Sequence, residues 1–306
     1  MKTYICLLLA LTLCLGVLPG CGDGGEEAVS SPPPESAAPP PTPSPPPVKA
    51  PEGTTLLTRF RTPAGYTRVS AESDSFAAYL RALPLKEDGA PALLFDGKEK
   101  LTRTHEAVVD MDIGSTDVQQ GSDALIRLRA EYLYAQGDYD RISYHFLSGF
   151  SFPFTRWAEG YRVSVNGKNV IWEKKSDPSQ DYETLRRYLN TLFVYANTRS
   201  LAAELSIADE MRIGDVFIST EFGGVMVADM ARHADTGEIL CILAGAKIPA
   251  QEIQILKNPD NPQLSPWYPA PSGADLTTSE GDVFRPEHLK RFSEIPENSD
   301  DEAPAP

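Results

Sequence analysis

Residues 214–256, GDVFISTEFGGVMVADMARHADTGEILCILAGAKIPAQEIQIL, decide the fold class. Four runs of apolar and β-branched residues, at 215–218, 225–230, 239–243 and 252–256, are separated by short segments holding Gly, Asp, Thr and Pro. Such runs are too short for helices and read as consecutive strands of a meander. Cys241 sits inside one of them, where its default role is a buried strand residue. Upstream the period changes. Residues 75–83 predict a short helix, and 117–136 a longer one with Gly137 just past its end. Residues 181–196 predict a third, with Leu185, Leu189, Leu192, Phe193 and Ala196 on one face, and Ser200 opens a fourth. A hairpin fits 161–172, since Asn166-Gly167 supplies the positive φ angles of a type I′ turn. Helices first and strands later predict an α+β domain, N-terminal helices packed on a mostly antiparallel sheet. No internal repeat is seen.

This domain is expected over residues 54–293, about 240 residues and enough for one sizeable core. Residues 21–53 are almost entirely Pro, Ala, Ser, Gly and Glu, with three Pro-Pro-Pro runs. Such a stretch buries no apolar surface and reads as a semi-rigid tether, up to roughly 90 Å long at about 3.1 Å per residue. Residues 294–306 hold five acidic residues and no Lys or Arg, and read as a solvated, disordered tail. Residues 1–20 have the order of a secretory signal: Lys2, an apolar run of about 14 residues, then Leu18-Pro19-Gly20 before Cys21. The run is short for a membrane span, which takes roughly 20 apolar residues. Gly20-Cys21 with Leu18 upstream resembles the lipobox of bacterial lipoproteins, which implies that Cys21 is acylated. An ordinary cleaved signal ending near the same place is the alternative.

On that reading Cys6 and Cys14 leave with the signal and Cys21 carries lipid, so only Cys241 remains and no internal disulfide forms. The net charge of −15, or −16 once Lys2 is removed, argues against nucleic acid and against adhesion to anionic lipid. Lipid would then hold the protein to the membrane, facing the cell-wall space.

Asp117-Val118-Gln119-Gln120 has the form of a capping box and predicts a helix start. Position 121 would then fall in the first turn, where the helix dipole favours a negative charge such as a thiolate. The residue there is Gly121, which costs a helix interior about 1 kcal/mol relative to alanine.

Several segments together carry a resemblance. They are residues 117–120 with 124–133, then 214–218, then 249–253 with 256–259 and 265–268. Over about Phe60 to Phe292 the chain resembles a family of envelope lipoproteins classed as a domain of unknown function. That family in turn is similar to NlpC-type, papain-like cysteine peptidases that cut peptidoglycan peptides, by the order of a cysteine at a helix start, a Gly-Asp strand and a histidine opening the next strand. The resemblance implies an NlpC-like fold. Carried over position by position, the family cysteine falls on Gly121 and the family histidine on Gly223. Two further polar positions fall on Gly245 and Gln254. Glycine can act neither as a nucleophile nor as its base. Losing one member of such a unit costs on the order of 10⁶ in rate and makes loss of the other nearly free.

Other candidate sites are weaker. His105 with Asp110 and Asp112 forms the best remaining polar cluster, since alternation over 108–112 would put both carboxylates on one strand face. The spacing does not follow an EF-hand loop, and capping roles are preferred. His145, His233 and His288 are scattered and make no metal-ligand spacing, so no metal or cofactor is expected. No phosphate-binding glycine pattern or Gly-x-Ser-x-Gly elbow occurs. Trp157, Trp172, Trp267, Phe150, Phe152, Phe154, Tyr161 and Tyr268 are candidates for a sugar or peptide groove, although core roles are commoner for such residues. The expectation is a lipid-anchored envelope protein with an inactive papain-like cleft that binds or scaffolds at the cell wall, with peptidoglycan the candidate partner. An active peptidoglycan hydrolase and a purely structural lipoprotein are the alternatives.

Overall fold

The computed structural model describes residues 47–293, Lys168 excepted. The expected signal, Cys21, most of the tether and the acidic tail lie outside the described residues. Folded contacts begin ahead of residue 54. Lys49 bridges Phe60, and buried Ala50 donates its N–H to the Arg59 carbonyl at 2.7 Å. Lys49 and Ala50 interrupt the prolines and restore amide donors, which proline lacks.

In chain order the elements are α1 (Leu56–Arg59), β1 (Tyr66–Arg68), α2 (Phe76–Arg81), β2 (His105–Val108), α3 (Asp123–Ala135), β3 (Ser143–His145), β4 (Ser151–Pro153), α4 (Phe154–Ala158), β5 (Tyr161–Asn166), β6 (Asn169–Lys174), α5 (Tyr182–Tyr195), α6 (Thr198–Glu204), β7 (Ser206–Ile207), β8 (Val216–Ser219), β9 (Gly223–His233), β10 (Ile239–Gly245), β11 (Gln254–Leu256), β12 (Trp267–Pro269), β13 (Leu276–Thr277), β14 (Val283–Phe284) and β15 (Leu289–Arg291). The fold is α+β with an open antiparallel sheet. Its strands run β2-β11-β10-β9-β8-β15-β7, with β1 also on β9 and β12 also on β10. The meander expected from residues 214–256 is its centre, β8 to β11. Strand β9 is long enough to pair β8 with one end and β1 with the other.

Both faces of the sheet are buried. Met226, Ala228, Ile242, Ala244 and Ile253 join the core formed with α3 and α5. Val225, Val227, Met230, Cys241 and Leu243 join a second core with Tyr268, Leu276 and Phe284. Cys241 is thus the buried strand residue expected, and burial pushes its thiol up to about 12. The alternation of faces along β9 slips once. The β9–β10 register shifts between Ile242, opposite Asp229, and Leu243, opposite Val227. This bulge puts Ala228 on the α-helical side with Asp229 beside it, and there Asp229 meets Arg81 of α2.

Helix α3 ends as expected, in a Schellman arrangement: Asp138 donates to the Leu133 carbonyl and Gly137 to that of Tyr134. Helix α5 starts at the cap Asp181 and buries Leu185, Leu189, Leu192 and Phe193. Two expected boundaries move. Helix α6 is capped by Asn197, and Ser200 sits inside it, completing the capping box. In the β5–β6 hairpin Asn166 pairs with Asn169, so the turn falls one residue later than Asn166-Gly167. The aromatic stretch around Phe152 is core and not an exposed patch. Phe152 is stacked between Trp172, centroids 5.2 Å apart, and Tyr188, 4.8 Å apart, while Phe154 and Trp157 are buried.

Candidate functional site

The start of α3 is built differently from the expected capping box. The Asp117 carboxylate accepts the Ala250 N–H at 2.7 Å and the Gln120 side-chain amide at 2.8 Å. The Gln120 backbone N–H instead donates to Asp123 Oδ2 at 3.0 Å. With Asp117 committed to another segment, the helix begins at Asp123, six residues after the expected cap. Its N-cap is Ser122, whose hydroxyl caps no amide of the helix and bonds Thr198 Oγ1 at 2.8 Å, tying α3 to the start of α6. Gly121 therefore lies just ahead of the helix rather than in its first turn.

Gly121 and Gly223 line the same cavity, a cleft of about 680 Å³ between the starts of α3, α6 and β9 and the segments around Lys100 and Lys247. A Cβ added at Gly223 would stand 4.0 Å from Ser122 Oγ, and one at Gly121 would stand 4.0 Å from Ile248 Cγ1. Space is present for a Cβ at both positions. The backbone is what favours glycine, with φ of +48° at 121 and +87° at 223. Gly245 and Gln254 face one another across β10 and β11. Gly245 borders a neighbouring void of about 10 Å³, and a Cβ there would come within 3.1 Å of Val225. Gln254 is fully buried just behind the cleft wall. Its amide donates to Gln251 Oε1 at 2.8 Å, and its carbonyl accepts Lys100 Nζ at 3.0 Å, both partners lining the cleft.

The charged lining is almost wholly compensated. Lys100 is ion-paired with Glu280, and Lys247 with Asp282, both acids coming from the β13–β14 hairpin. Asp123 has one oxygen on Gln120, while Oδ1 is buried with no partner among the described residues. Burial pushes its carboxyl up to about 8, against the lowering effect of the Gln120 N–H. Glu221 is exposed at the rim. Leu101 and Ile248 also line the cleft and are 102% and 71% exposed, unusual for large apolar side chains.

The other expected cluster does not assemble. Strand β2 ends at Val108, and Met111 donates back to the Val109 carbonyl, so alternation over 108–112 is broken by a turn. His105 is buried, its Nε2 3.2 Å from the Ala90 carbonyl oxygen, and burial lowers its pKa. Asp110 is exposed, and Asp112 accepts the Gly114 N–H. No hydrogen bond or ion pair joins the three among the described residues, and no group of His, Cys, Asp and Glu there could hold a metal ion. His233 and His288 each accept backbone N–H groups within turns. Trp267 and Tyr268 are buried in β12 and do not line this cleft.

Sequence reasoning passed over Asp123, Leu101, Ile248 and the two lysine pairs. Asp123 had a signal, an acid opening an apolar helix, which also reads as a first-turn charge. Leu101 and Ile248 stand in irregular segments where periodicity carries no information. No helix among the described residues is long and apolar enough to cross a membrane. Comparison with curated proteins and with solved structures finds no match. A family model does match, over residues 56–291, the whole of the region that builds the sheet and its cleft, and the chain therefore belongs to the family described as domain of unknown function (4846).

Proposed function

We propose that this is a lipid-anchored protein of the bacterial cell envelope whose papain-like, NlpC-like cleft has lost its catalytic dyad and binds without cutting. Cys21 carries the lipid, the Pro-rich segment spaces the domain from the membrane, and peptidoglycan is the candidate scaffold. The observation that carries this is the presence of Gly121 and Gly223, 102 residues apart in sequence, in the lining of one cleft, with room at each for a Cβ. Gln254 behind the wall, bonded to two lining residues, adds a third position of the resembled order to the same neighbourhood.

Two experiments test it. Purified full chain incubated with sacculi is expected to release no muropeptides, and release would overturn the proposal; cosedimentation with sacculi tests the scaffold. The second restores the side chains. The Gly121→Cys, Gly223→His double variant is expected to show a thiol alkylated by iodoacetamide at lower pH than the Gly121→Cys single variant, because imidazolium stabilises thiolate. Identical pH profiles would show that the positions do not face each other. Each substitution enters a positive-φ backbone, so each is also expected to lower stability by about 1–3 kcal/mol, read by thermal unfolding.

A further inference from the structure

The cleft's chemistry narrows what it can hold. We infer that it takes an uncharged, extended peptide segment bearing apolar side chains, a stretch of another protein rather than an acidic cell-wall peptide or a glycan. This rests on the reading above that the cleft binds without cutting, and it assigns the peptidoglycan scaffold proposed there to another face of the protein.

Charge comes first. Lys100 and Lys247 line the cleft but are neutralised by Glu280 and Asp282, and Lys100 is further held by Thr104 Oγ1 at 2.9 Å and Gln254. Lys100 has all three N–H donors taken, and Lys247, held by Asp282 and the Phe222 carbonyl, keeps one donor but little net charge to attract a carboxylate. Asp123 adds little charge, since its carboxyl is buried with one oxygen unpartnered and burial pushes it up to about 8. What remains is Glu221, exposed at the rim, which repels anions weakly through water.

Neutral polar groups are available. Thr102, Gln120, Asn197 and Thr220 line the cleft, and Gln120 Oε1, Asn197 Nδ2 and the two threonine hydroxyls make no hydrogen bond to described residues. They offer donors and acceptors together, as a peptide backbone requires. The apolar half is Leu101 and Ile248, with partly exposed Phe222 beside them. Large apolar groups held in water gain by meeting apolar side chains. The lining has no tryptophan or tyrosine on which a sugar could both stack and hydrogen-bond, and of its two phenylalanines Phe193 is buried and Phe222 only partly exposed.

The test is fluorescence anisotropy on the full chain in detergent micelles. The probe is a fluorescein-labelled, end-capped heptapeptide of alternating Ala and Leu. It is expected to bind, with at least ten-fold weaker binding when its leucines are replaced by glutamate and no competition from a chitin tetrasaccharide. Leu101→Glu and Ile248→Glu are each expected to weaken binding about five-fold or more with no loss of thermal stability, since both side chains are exposed. The inference is overturned by no binding, by equal or tighter binding of the acidic peptide, by competition from the sugar, or by variants that bind like the wild type. Fragmentation of the probe, seen by chromatography, would instead overturn the non-catalytic reading and leave the ligand class standing.

Discussion

Alanine in place of Asp229 is expected to lower stability by about 3–5 kcal/mol, the usual consequence of deleting one partner from a buried ion pair. Asp229 is fully buried on β9, and its carboxylate accepts Arg68 Nε at 2.6 Å, Arg81 Nε at 2.7 Å and the Met230 N–H at 2.8 Å. Arg68 also donates to the Phe60 carbonyl, and Arg81 to that of Val69 at 2.7 Å, so neither guanidinium can swing away without losing a second bond. Removing the carboxylate leaves two like charges, both mostly buried, without their shared counter-charge. Asp229→Asn keeps an acceptor but not the charge and should fall between. Urea unfolding followed by circular dichroism measures this, and an alanine variant with the wild-type midpoint would refute it.

That triad also marks where the sequence stops being readable. The four meander strands were legible because each run alternates or is continuously apolar, and α5 because Leu185, Leu189, Leu192 and Phe193 share one face. Asp229 interrupts an apolar strand, and nothing local says that arginines 161 and 148 residues earlier will reach it. The bulge that aims it, one extra residue of β9 at Ala228, shows only in the pairing with β10. The order of β15, β7 and β1 around the meander was equally hidden, since strands of two or three residues carry no measurable period.

The cleft was legible to a different degree. The segments just after the helix start expected at Asp117 and just before the strand expected at 225 do converge on it, at the two positions that the resemblance singled out. Its electrostatics were not legible. Lys100 and Lys247 look like free cations along the chain, and only the β13–β14 hairpin, arriving 180 and 35 residues later, neutralises them. The capping box failed for a related reason: a side chain with a long-range suitor, here the Ala250 N–H, is lost to its local motif.

Asp123→Asn is expected to make the protein more stable than the wild type at alkaline pH, and nearly equal to it near pH 4. The folded carboxyl titrates at about 8 and the unfolded one at an ordinary 3.8. A raised folded value means that the folded state holds its proton after the unfolded chain has released it. Wild-type stability from this group is therefore complete below about 3.8 and drains away as pH rises to about 8. A gap of about 4 pH units at 1.36 kcal/mol each puts the total on the order of 5 kcal/mol. Asparagine keeps an acceptor for the Gln120 N–H and has no proton to lose, so its stability lacks this slope. Other carboxylates titrate alike in both proteins, so the difference between them isolates position 123. Urea midpoints for the two proteins at pH 5, 7 and 9 should diverge steadily in the variant's favour; parallel curves would mean that Asp123 is ionised in the folded cleft, and the cleft would then carry a buried negative charge that an uncharged ligand could not satisfy.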